Sequence, residues 1–407
     1  MIELKFARQT IGYCTNVHAG VDLQSIRANL ERYAASARIA CGLDELGVGL
    51  WLPSQAAVEL STQADDFAEF LLQRRLRAYT INGFPYDNFH QDVVKRAVYQ
   101  PAWWQPERLE YTQRLANILT RLLPEDEELG SISTLPIGWP SDCGNDSMLD
   151  QAGANLRQLA NYLHQLELTT GRRIVVAIEP EPGCILDSAE DIIDWFDKYL
   201  PDEVHRRYLT VCHDICHSAV MMEPQLEVLG RYAEASITIG KVQVSSAIVV
   251  DWQSMAADRC LEALGQLQQF AEDRYLHQTG QQLAGGQFKL ADDLPDLLAD
   301  HPISEQAAGD LGEATARDPV SGDERWVVHF HVPIFLERFG HLSTSQPAVL
   351  ECVRALLSEN STNDFTGHLE IETYAWSVLP AAMRKRGLAE DIAQEITWFR
   401  RTLLECL

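Results

Sequence analysis

The sequence predicts an α/β protein in which eight strands close into a (β/α)8 TIM barrel, with one long insertion between strands 7 and 8. Short apolar runs of β-type composition recur along the chain, and stretches of helical periodicity separate them almost from end to end. This alternation requires parallel strands, and eight such units close naturally into a barrel. The predicted strands span residues 11–17, 47–52, 78–82, 131–137, 173–179, 208–213, 237–243 and 367–373.

The predicted helices fill the intervals between these strands. Ser188 has the character of a helix N-cap, with Asp191 three residues later as in a capping box. A doubly wound sheet is the second choice, but no glycine-rich phosphate loop follows the first strand. The helices are predicted over residues 23–40, 54–73, 107–123, 150–168, 188–199, 223–235 and 347–360.

The interval between strands 7 and 8 exceeds a hundred residues, whereas roughly 30 suffice for a βαβ unit. It contains a helical stretch at 254–277, a Gly- and Gln-rich stretch at 280–286 and an acidic, loop-like portion at 291–323. Insertions that follow barrel strands lie on the catalytic face. We therefore expect residues 1–407 to form one TIM-barrel domain in which an insertion, residues 244–325, covers that face.

Composition excludes several classes of partner. The net charge of −26, from 33 basic and 59 acidic residues, disfavours nucleic acid, and no apolar run is long enough to span a membrane. The first residues carry no signal-peptide pattern, so we expect a cytoplasmic protein. Nine cysteines scattered over the chain indicate free thiols. A small-molecule substrate is the expected partner, and the sequence leaves the oligomeric state open.

Polar residues recur where the strands of the second half end. The steps from Glu179 to Asp214 (214 − 179 = 35) and from Asp214 to Gln243 (243 − 214 = 29) each match about one βα unit. Equivalent positions on successive strands point towards one axis, so four strands can deliver ligands to one ion. Oxygen-rich ligation suits Mg²⁺, Mn²⁺ or Zn²⁺. The predicted metal ligands are Glu179, Asp214, Gln243 and Glu372.

A divalent ion at this point can polarise a carbonyl, and two carboxylates can then take and return a carbon-bound proton. Glu179 and Glu372 are the predicted catalytic pair. Glu181 and Glu370 each lie two residues away from one of them and are expected to surround the site. The choice between Glu370 and Glu372 as the ligand from strand 8 stays open.

Several further polar residues are candidate substrate contacts. His329 and His331 share one face of an extended segment, which suits metal ligation, substrate contact or a buried polar network. A second ion is possible through His217 and His331. The predicted substrate-binding residues are His217, His331, His329, His18 and Asn82.

These motifs resemble the xylose-isomerase-like TIM barrels, a superfamily of sugar isomerases, epimerases and endonuclease IV. The resemblance rests on Ile178-Glu179-Pro180, His213-Asp214-x-x-His217, Gln243 and Glu372-Thr373. It implies that a Glu, Asp, Gln and Glu set holds one divalent ion, that the two Glu transfer protons, and that His217 contacts substrate. In the endonuclease branch, the matches to Asp214, His217, His331 and Glu372 bind zinc.

More narrowly, the segments Gly12–His18, Asn82–Tyr86 and His329–Pro333 resemble the EboE proteins of the bacterial Ebo cluster. That resemblance implies a place in metabolite traffic, with pathway proteins as possible partners. The chain departs from the endonuclease pattern at Asn82, at Ile137-Gly138-Trp139 and at Gln243, where that pattern expects histidines.

Three hypotheses follow. The first is a metal-dependent isomerase or epimerase that acts on a small polyhydroxylated or carbonyl metabolite. The second is a non-catalytic barrel of the Ebo pathway that binds a metabolite or a partner protein. The third, a phosphodiesterase of the endonuclease branch, is disfavoured by the acidic charge.

Overall fold

The computed structural model describes residues 9–300 and 323–406, and its central feature is a closed barrel of eight parallel strands. The neighbours around the barrel follow the order β1-β14-β7-β6-β5-β4-β3-β2, which confirms the predicted TIM barrel. The strands are β1 (Thr10–Cys14), β2 (Leu46–Trp51), β3 (Leu76–Asn82), β4 (Leu129–Thr134), β5 (Arg173–Ile178), β6 (Leu209–Asp214), β7 (Ile239–Val244) and β14 (His368–Ile371).

Each predicted strand overlaps an observed one, with shifted ends. The fourth strand ends at Thr134 rather than at 137, and Ile137 adopts a φ of 71° that is incompatible with a strand. Buried apolar residues of the strands and of the surrounding helices form the main core.

The helices surround the barrel largely where periodicity predicts them. The predicted helix 54–73 is divided in two, because the Ser61 and Thr62 hydroxyls donate back to carbonyl oxygens at the break. The helix over residues 388–406 was not predicted. The helices outside the insertion are α1 (Leu23–Asn29), α2 (Ala35–Ala40), α3 (Ser54–Ser61), α4 (Ala64–Gln73), α5 (Pro106–Leu122), α6 (Asp146–Thr170), α7 (Ala189–Tyr199), α8 (Glu203–Arg206), α9 (Ile215–Val220), α10 (Gln225–Glu234), α13 (Gln346–Leu357) and α14 (Leu388–Cys406).

A second sheet is formed by the chain between β7 and β14. Its strand order is β10-β9-β11-β8-β13-β12, and every pair is antiparallel. This sheet continues past residue 325, the predicted end of the insertion, to Thr344. The elements are β8 (Ile248–Asp251), α11 (Ala257–Leu267), β9 (Thr279–Leu283), β10 (Phe288–Ala291), α12 (Leu294–Asp300), β11 (Asp323–Val328), β12 (Arg338–Phe339) and β13 (Leu342–Thr344).

The second sheet has an apolar core of its own, and that core includes barrel residues. Trp326 and Phe330 of the sheet segment pack in the same buried cluster as Trp51, the last residue of β2, and Phe89, in the loop after β3. The predicted helix 254–277 is shorter than expected. Part of the predicted loop 291–323 is helix α12, and residues 301–322 of it lie outside the described residues.

Across residues 9–300 and 323–406, none of the helices combines the length and the apolarity that crossing a bilayer requires.

Candidate metal centre and cavity

Three carboxylates meet at the carboxyl ends of the barrel strands. Glu179 directly follows β5, Asp214 ends β6 and Glu372 directly follows β14. Oxygen atoms of the three side chains lie within 4.8 Å of one another, and all three residues are buried. Gln243 is the register partner of Asp214 on the neighbouring strand β7. The barrel thus brings the four predicted metal ligands to its carboxyl-terminal end.

The two carboxylate oxygens of Asp214 have different surroundings. It is the N-cap of α9, and its Oδ1 accepts hydrogen bonds from the backbone N–H of His217 at 2.9 Å and from Ser245 Oγ at 2.7 Å. Its Oδ2 is buried and has no hydrogen-bond partner. The cap fixes the carboxylate and leaves one oxygen available as a ligand.

Glu372 is oriented by two asparagines. Nδ2 of Asn16 donates to its Oε1 at 2.7 Å, and Nδ2 of Asn82 donates to the same oxygen at 2.9 Å. Asn82 is fixed in turn, because its Oδ1 accepts from the backbone N–H of Phe84 at 3.1 Å. Asn82, predicted to contact substrate, thus positions a candidate ligand while it also lines the cavity described below.

Several buried polar atoms around these carboxylates have no hydrogen-bond partner. They include Oε2 of Glu179, Oδ2 of Asp214, both amide atoms of Gln243 and Nε2 of His331. A buried polar atom without a partner is costly, and one that coordinates an ion is satisfied. This donor set of carboxylate and amide oxygens with an imidazole nitrogen suits a divalent ion, so the residues present fit the metal that the sequence predicts.

The electrostatics of the cluster also favour a cation. Burial raises the pKa of the Glu179 carboxyl well above its usual range, and the neighbouring carboxylates of Glu372 and Asp214 raise it further. Burial, Asp214 and Glu370 likewise raise the pKa of Glu372 well above its usual range. Like charges at such short distances cannot all ionise without a compensating positive charge.

Glu370 is committed to an ion pair inside the barrel. Its Oε2 lies 2.5 Å from Nζ of Lys241, and both side chains are fully buried. Gly49 makes room for it, because a Cβ at that position would lie 1.2 Å from Glu370 Oε1. Glu372, by contrast, joins Glu179 and Asp214 in the carboxylate cluster. The geometry therefore favours Glu372 as the ligand from the eighth barrel strand.

Three histidines form a second group beside the carboxylates. Nδ1 of His217 lies 2.9 Å from the Pro180 carbonyl oxygen, and Nδ1 of His331 lies 2.9 Å from the Glu372 carbonyl oxygen. A carbonyl oxygen only accepts, so Nδ1 carries a proton in both rings.

His329 has the same tautomer for a similar reason. Its Nδ1 lies 2.8 Å from Oε1 of Gln278, whose amide nitrogen faces Glu181 and the Pro182 carbonyl oxygen. Burial lowers the pKa of His329 well below its usual range and that of His331 to about 4, so both rings are neutral at neutral pH. The Nε2 atoms of His217 and His329 lie 3.2 Å apart.

The histidine group has additional candidate donors. Ligand atoms of Asp214, His217 and His331 lie within 4.8 Å of one another, as do those of Glu181, His217 and His329. Cys216 makes a third such set with His329 and His331. The Cys216 thiol is buried, and burial raises its pKa well above its usual range.

The structure does not bring His18 to this site. The His18 ring packs against Tyr13 and Tyr33, and it is not among the residues that line the cavity. His213 is also directed elsewhere, since its Nε2 lies 2.7 Å from Oε1 of Gln225. These two residues brace the barrel wall.

A cavity that is partly open to solvent lies over the carboxylates and the histidines. Glu179, His217, His329, His331 and Glu372 line its polar end. Sequence reasoning missed other lining residues: Tyr99 and Tyr275 belong to no recognisable motif, and within the segment Gly12–His18 it selected His18 rather than Asn16. Asn16 sits two residues before His18, and the turn Thr15–Val17 places it rather than His18 beside Glu372.

No protein-family model matches the sequence, and no curated protein matches it. Solved structures do resemble the fold. A xylose isomerase-like TIM barrel protein from Mycobacterium smegmatis, in complex with magnesium, is 10% identical, with 98% of each chain covered and a TM-score of 0.52.

Two further structures have lower TM-scores. The IOLI protein with a bound zinc atom is 12% identical with a TM-score of 0.45, over 98% of this chain and 97% of that one. A D-tagatose 3-epimerase-like protein is 13% identical with a TM-score of 0.40, over 65% of this chain and 88% of that one. The barrel is thus similar in fold to the xylose isomerase-like TIM barrel protein whose structure contains magnesium.

Proposed function

We propose that this protein is a metal-dependent isomerase or epimerase acting on a small polyhydroxylated or carbonyl metabolite. One observation carries the proposal: Glu179, Asp214 and Glu372, from three separate strands, converge within 4.8 Å, and one buried oxygen each of Glu179 and Asp214 lacks a hydrogen-bond partner. Gln243 completes a set of four donors. A divalent ion held there supplies the positive charge that polarises a substrate carbonyl.

Glu179 and Glu372 are the groups that move the proton. Both line the cavity, and burial raises the pKa of each carboxyl above its usual range. Asn16 and Asn82 hold Oε1 of Glu372, which leaves its Oε2 as the atom that exchanges a proton with substrate. Glu179 offers its unpartnered Oε2 in the same way.

A second ion fits the histidine group. The 3.2 Å between Nε2 of His217 and Nε2 of His329 resembles the separation of neighbouring ligands on tetrahedral zinc, and His331 offers a ring nitrogen within 4.8 Å of a ligand atom of each. Glu181 and Asp214 stand next to these nitrogens. We assign the carboxylate group to the catalytic ion and the histidine group to a second, zinc-like ion.

The chain between β7 and β14 covers the barrel end that carries this site, because His329 and Gln278 belong to it.

We place the protein in the cytoplasm, within an EboE-type pathway of metabolite traffic and possible partner proteins. The motifs around Gly12, Asn82 and His329 support that place, and the net charge of −26 supports a partner other than nucleic acid.

Metal analysis of the purified full chain tests the proposal. We expect about one divalent ion per chain at the carboxylate group, and we expect Glu179→Gln and Asp214→Asn to lose it. Glu405→Gln, which changes an exposed carboxylate, is the matched control and should retain the ion. A wild-type protein that binds no divalent ion overturns the proposal.

Isotope exchange separates catalysis from simple binding. An isomerase or epimerase incorporates solvent deuterium at the carbon that loses its proton, and Glu372→Gln should abolish this incorporation. Metal-bound protein that binds hydroxycarbonyl compounds without exchange would instead support the non-catalytic metabolite-binding barrel.

A further inference from the structure

The cavity has two chemically different ends. The carboxylates and histidines form the polar end, and the wall facing them is built from apolar and aromatic side chains. Six residues form most of this wall: Phe84, Pro85, Phe89, Val94, Val98 and Tyr275.

The aromatic rings of the wall form one continuous surface that reaches the histidines. The ring centroids of Phe89 and Tyr275 lie 4.8 Å apart, and those of Tyr275 and Tyr374 lie 5.0 Å apart. The ring centroid of Tyr374 lies 4.7 Å from that of His331. A ligand group that extends from the metal end would therefore pack against aromatic faces.

The hydroxyl of Tyr275 does not give this wall a polar character. It donates to the Phe89 carbonyl oxygen at 3.2 Å, so the ring presents its apolar part to the cavity.

The cavity offers little to a phosphate. Among its lining residues in the described part of the chain, Lys95 is the only lysine or arginine, and its ammonium is paired with Asp293. Asp293 is held in turn by the backbone N–H of His277 at 3.1 Å. Three lining glutamates, Glu179, Glu181 and Glu372, add negative charge. A phosphate ester has no free cation to bind in this cavity, apart from metal.

We propose that the substrate is a neutral hydroxycarbonyl compound that carries an aromatic or branched aliphatic group and no phosphate. Its hydroxyl and carbonyl oxygens face the carboxylate group, and its apolar part packs against Phe89, Tyr275 and Tyr374. This inference rests on the proposed metal-dependent function and names its substrate class.

Three probes with the same –C(O)CH₂OH head test it: 2-hydroxy-1-phenylethanone, dihydroxyacetone and dihydroxyacetone phosphate. Their dissociation constants are measured by calorimetry on the full chain loaded with Mn²⁺. We expect the phenyl compound to bind about tenfold more tightly than dihydroxyacetone, because the phenyl group leaves water for an apolar wall. The phosphate should bind most weakly. A phosphate that binds as tightly as the phenyl compound overturns the inference.

Single-residue variants test whether the aromatic wall causes the preference for the phenyl probe. Phe89→Ala should remove most of the tenfold preference for the phenyl probe, and Phe288→Ala, at an aromatic residue outside the cavity lining, should keep it. If Phe89→Ala does not fold, Lys95→Met serves instead, and it should leave binding of all three probes within about twofold. A large loss of phosphate binding in Lys95→Met would contradict the inference.

Mn²⁺ binding, followed by electron paramagnetic resonance, distinguishes failure of the proposed function from failure of the proposed substrate class. A protein that binds no Mn²⁺ refutes the proposed function and this inference with it. A protein that binds Mn²⁺ but does not favour the phenyl probe refutes the substrate class alone.

Discussion

Nε2 of His217 lies 3.2 Å from Nε2 of His329, and Nδ1 of each ring faces a hydrogen-bond acceptor. Two acceptor nitrogens so close together repel each other unless a cation or a proton lies between them. Burial lowers the pKa of His329 well below its usual range, which disfavours a proton on that ring. A metal ion between the two rings would bind both nitrogens.

The first prediction concerns this second ion. In protein equilibrated with Zn²⁺, His329→Gln should lower the metal content by about one ion per chain and leave the ion at the carboxylate group in place. Elemental analysis by mass spectrometry measures the content. His341→Gln, a partly exposed histidine on the second sheet, is the control. Unchanged zinc content in His329→Gln would rule out an ion between these rings.

The second prediction concerns Asn82, which donates to Glu372 Oε1 at 2.9 Å. Asn82→Ala should weaken metal binding by about tenfold, because the carboxylate loses one of the two donors that orient it. Titration of metal-free protein with Mn²⁺ measures the change. Asn360→Ala, at an exposed asparagine, should match the wild type. An affinity that does not change would mean that Asn16 alone suffices to hold Glu372.

The third prediction concerns the buried pair of Lys241 and Glu370. Lys241→Met should lower the free energy of unfolding by about 3 kcal/mol or more, because it leaves the Glu370 carboxylate buried without its partner. The double variant Lys241→Met with Glu370→Gln should recover much of that loss. Urea denaturation of all four proteins in the double-mutant cycle gives the coupling. Additive losses would show that the two side chains stabilise the barrel independently.

The fourth prediction concerns Glu395, whose pKa burial raises from 4.5 to about 7. The folded state resists ionisation of this group, so stability is lost as pH rises from about 4.5 to about 7, the reverse of an ordinary paired carboxylate. The penalty above pH 7 is about 3 kcal/mol for a shift of this size.

Glu395→Gln tests this directly. The amide keeps the oxygen that accepts from Thr373 Oγ1 at 2.7 Å and from the Ile334 N–H at 3.1 Å, but it cannot ionise. Metal-free variant protein should therefore be more stable than the wild type at pH 8 and not at pH 5, as measured by urea unfolding. An equal difference at both pH values would contradict the raised pKa.

The barrel was predictable because its signals are periodic. Eight apolar runs and the helices between them follow from local pattern, and the spacing of Glu179, Asp214 and Gln243 by one βα unit places them at one end. The choice of Glu372 over Glu370 was not predictable, because it depends on the contact of Glu370 with Lys241 across two strands.

The second sheet was hidden for a related reason. Its short strands are paired over long sequence separations, as in β8 with β11, and such pairing leaves little local signal. The roles of Asn16 and Gln278 depend on side-chain contacts with residues far along the chain. His18 and Asn82 both lie near the ends of predicted strands, so the sequence predicted a substrate contact for each. In the structure Asn82 donates to Glu372, whereas the His18 ring packs against Tyr13 and Tyr33.

The second sheet also limits how this barrel can be simplified. One simplification would be to shorten the crossover after β7 to a minimal loop and helix. Here such a deletion would leave the four carboxylate and amide donors on the barrel but remove His329, His331, Gln278 and Tyr275 together. A trimmed barrel would keep a binding site for one ion and lose two of the three neighbouring imidazoles together with Tyr275 of the aromatic wall, so an engineer would have to transplant this region whole.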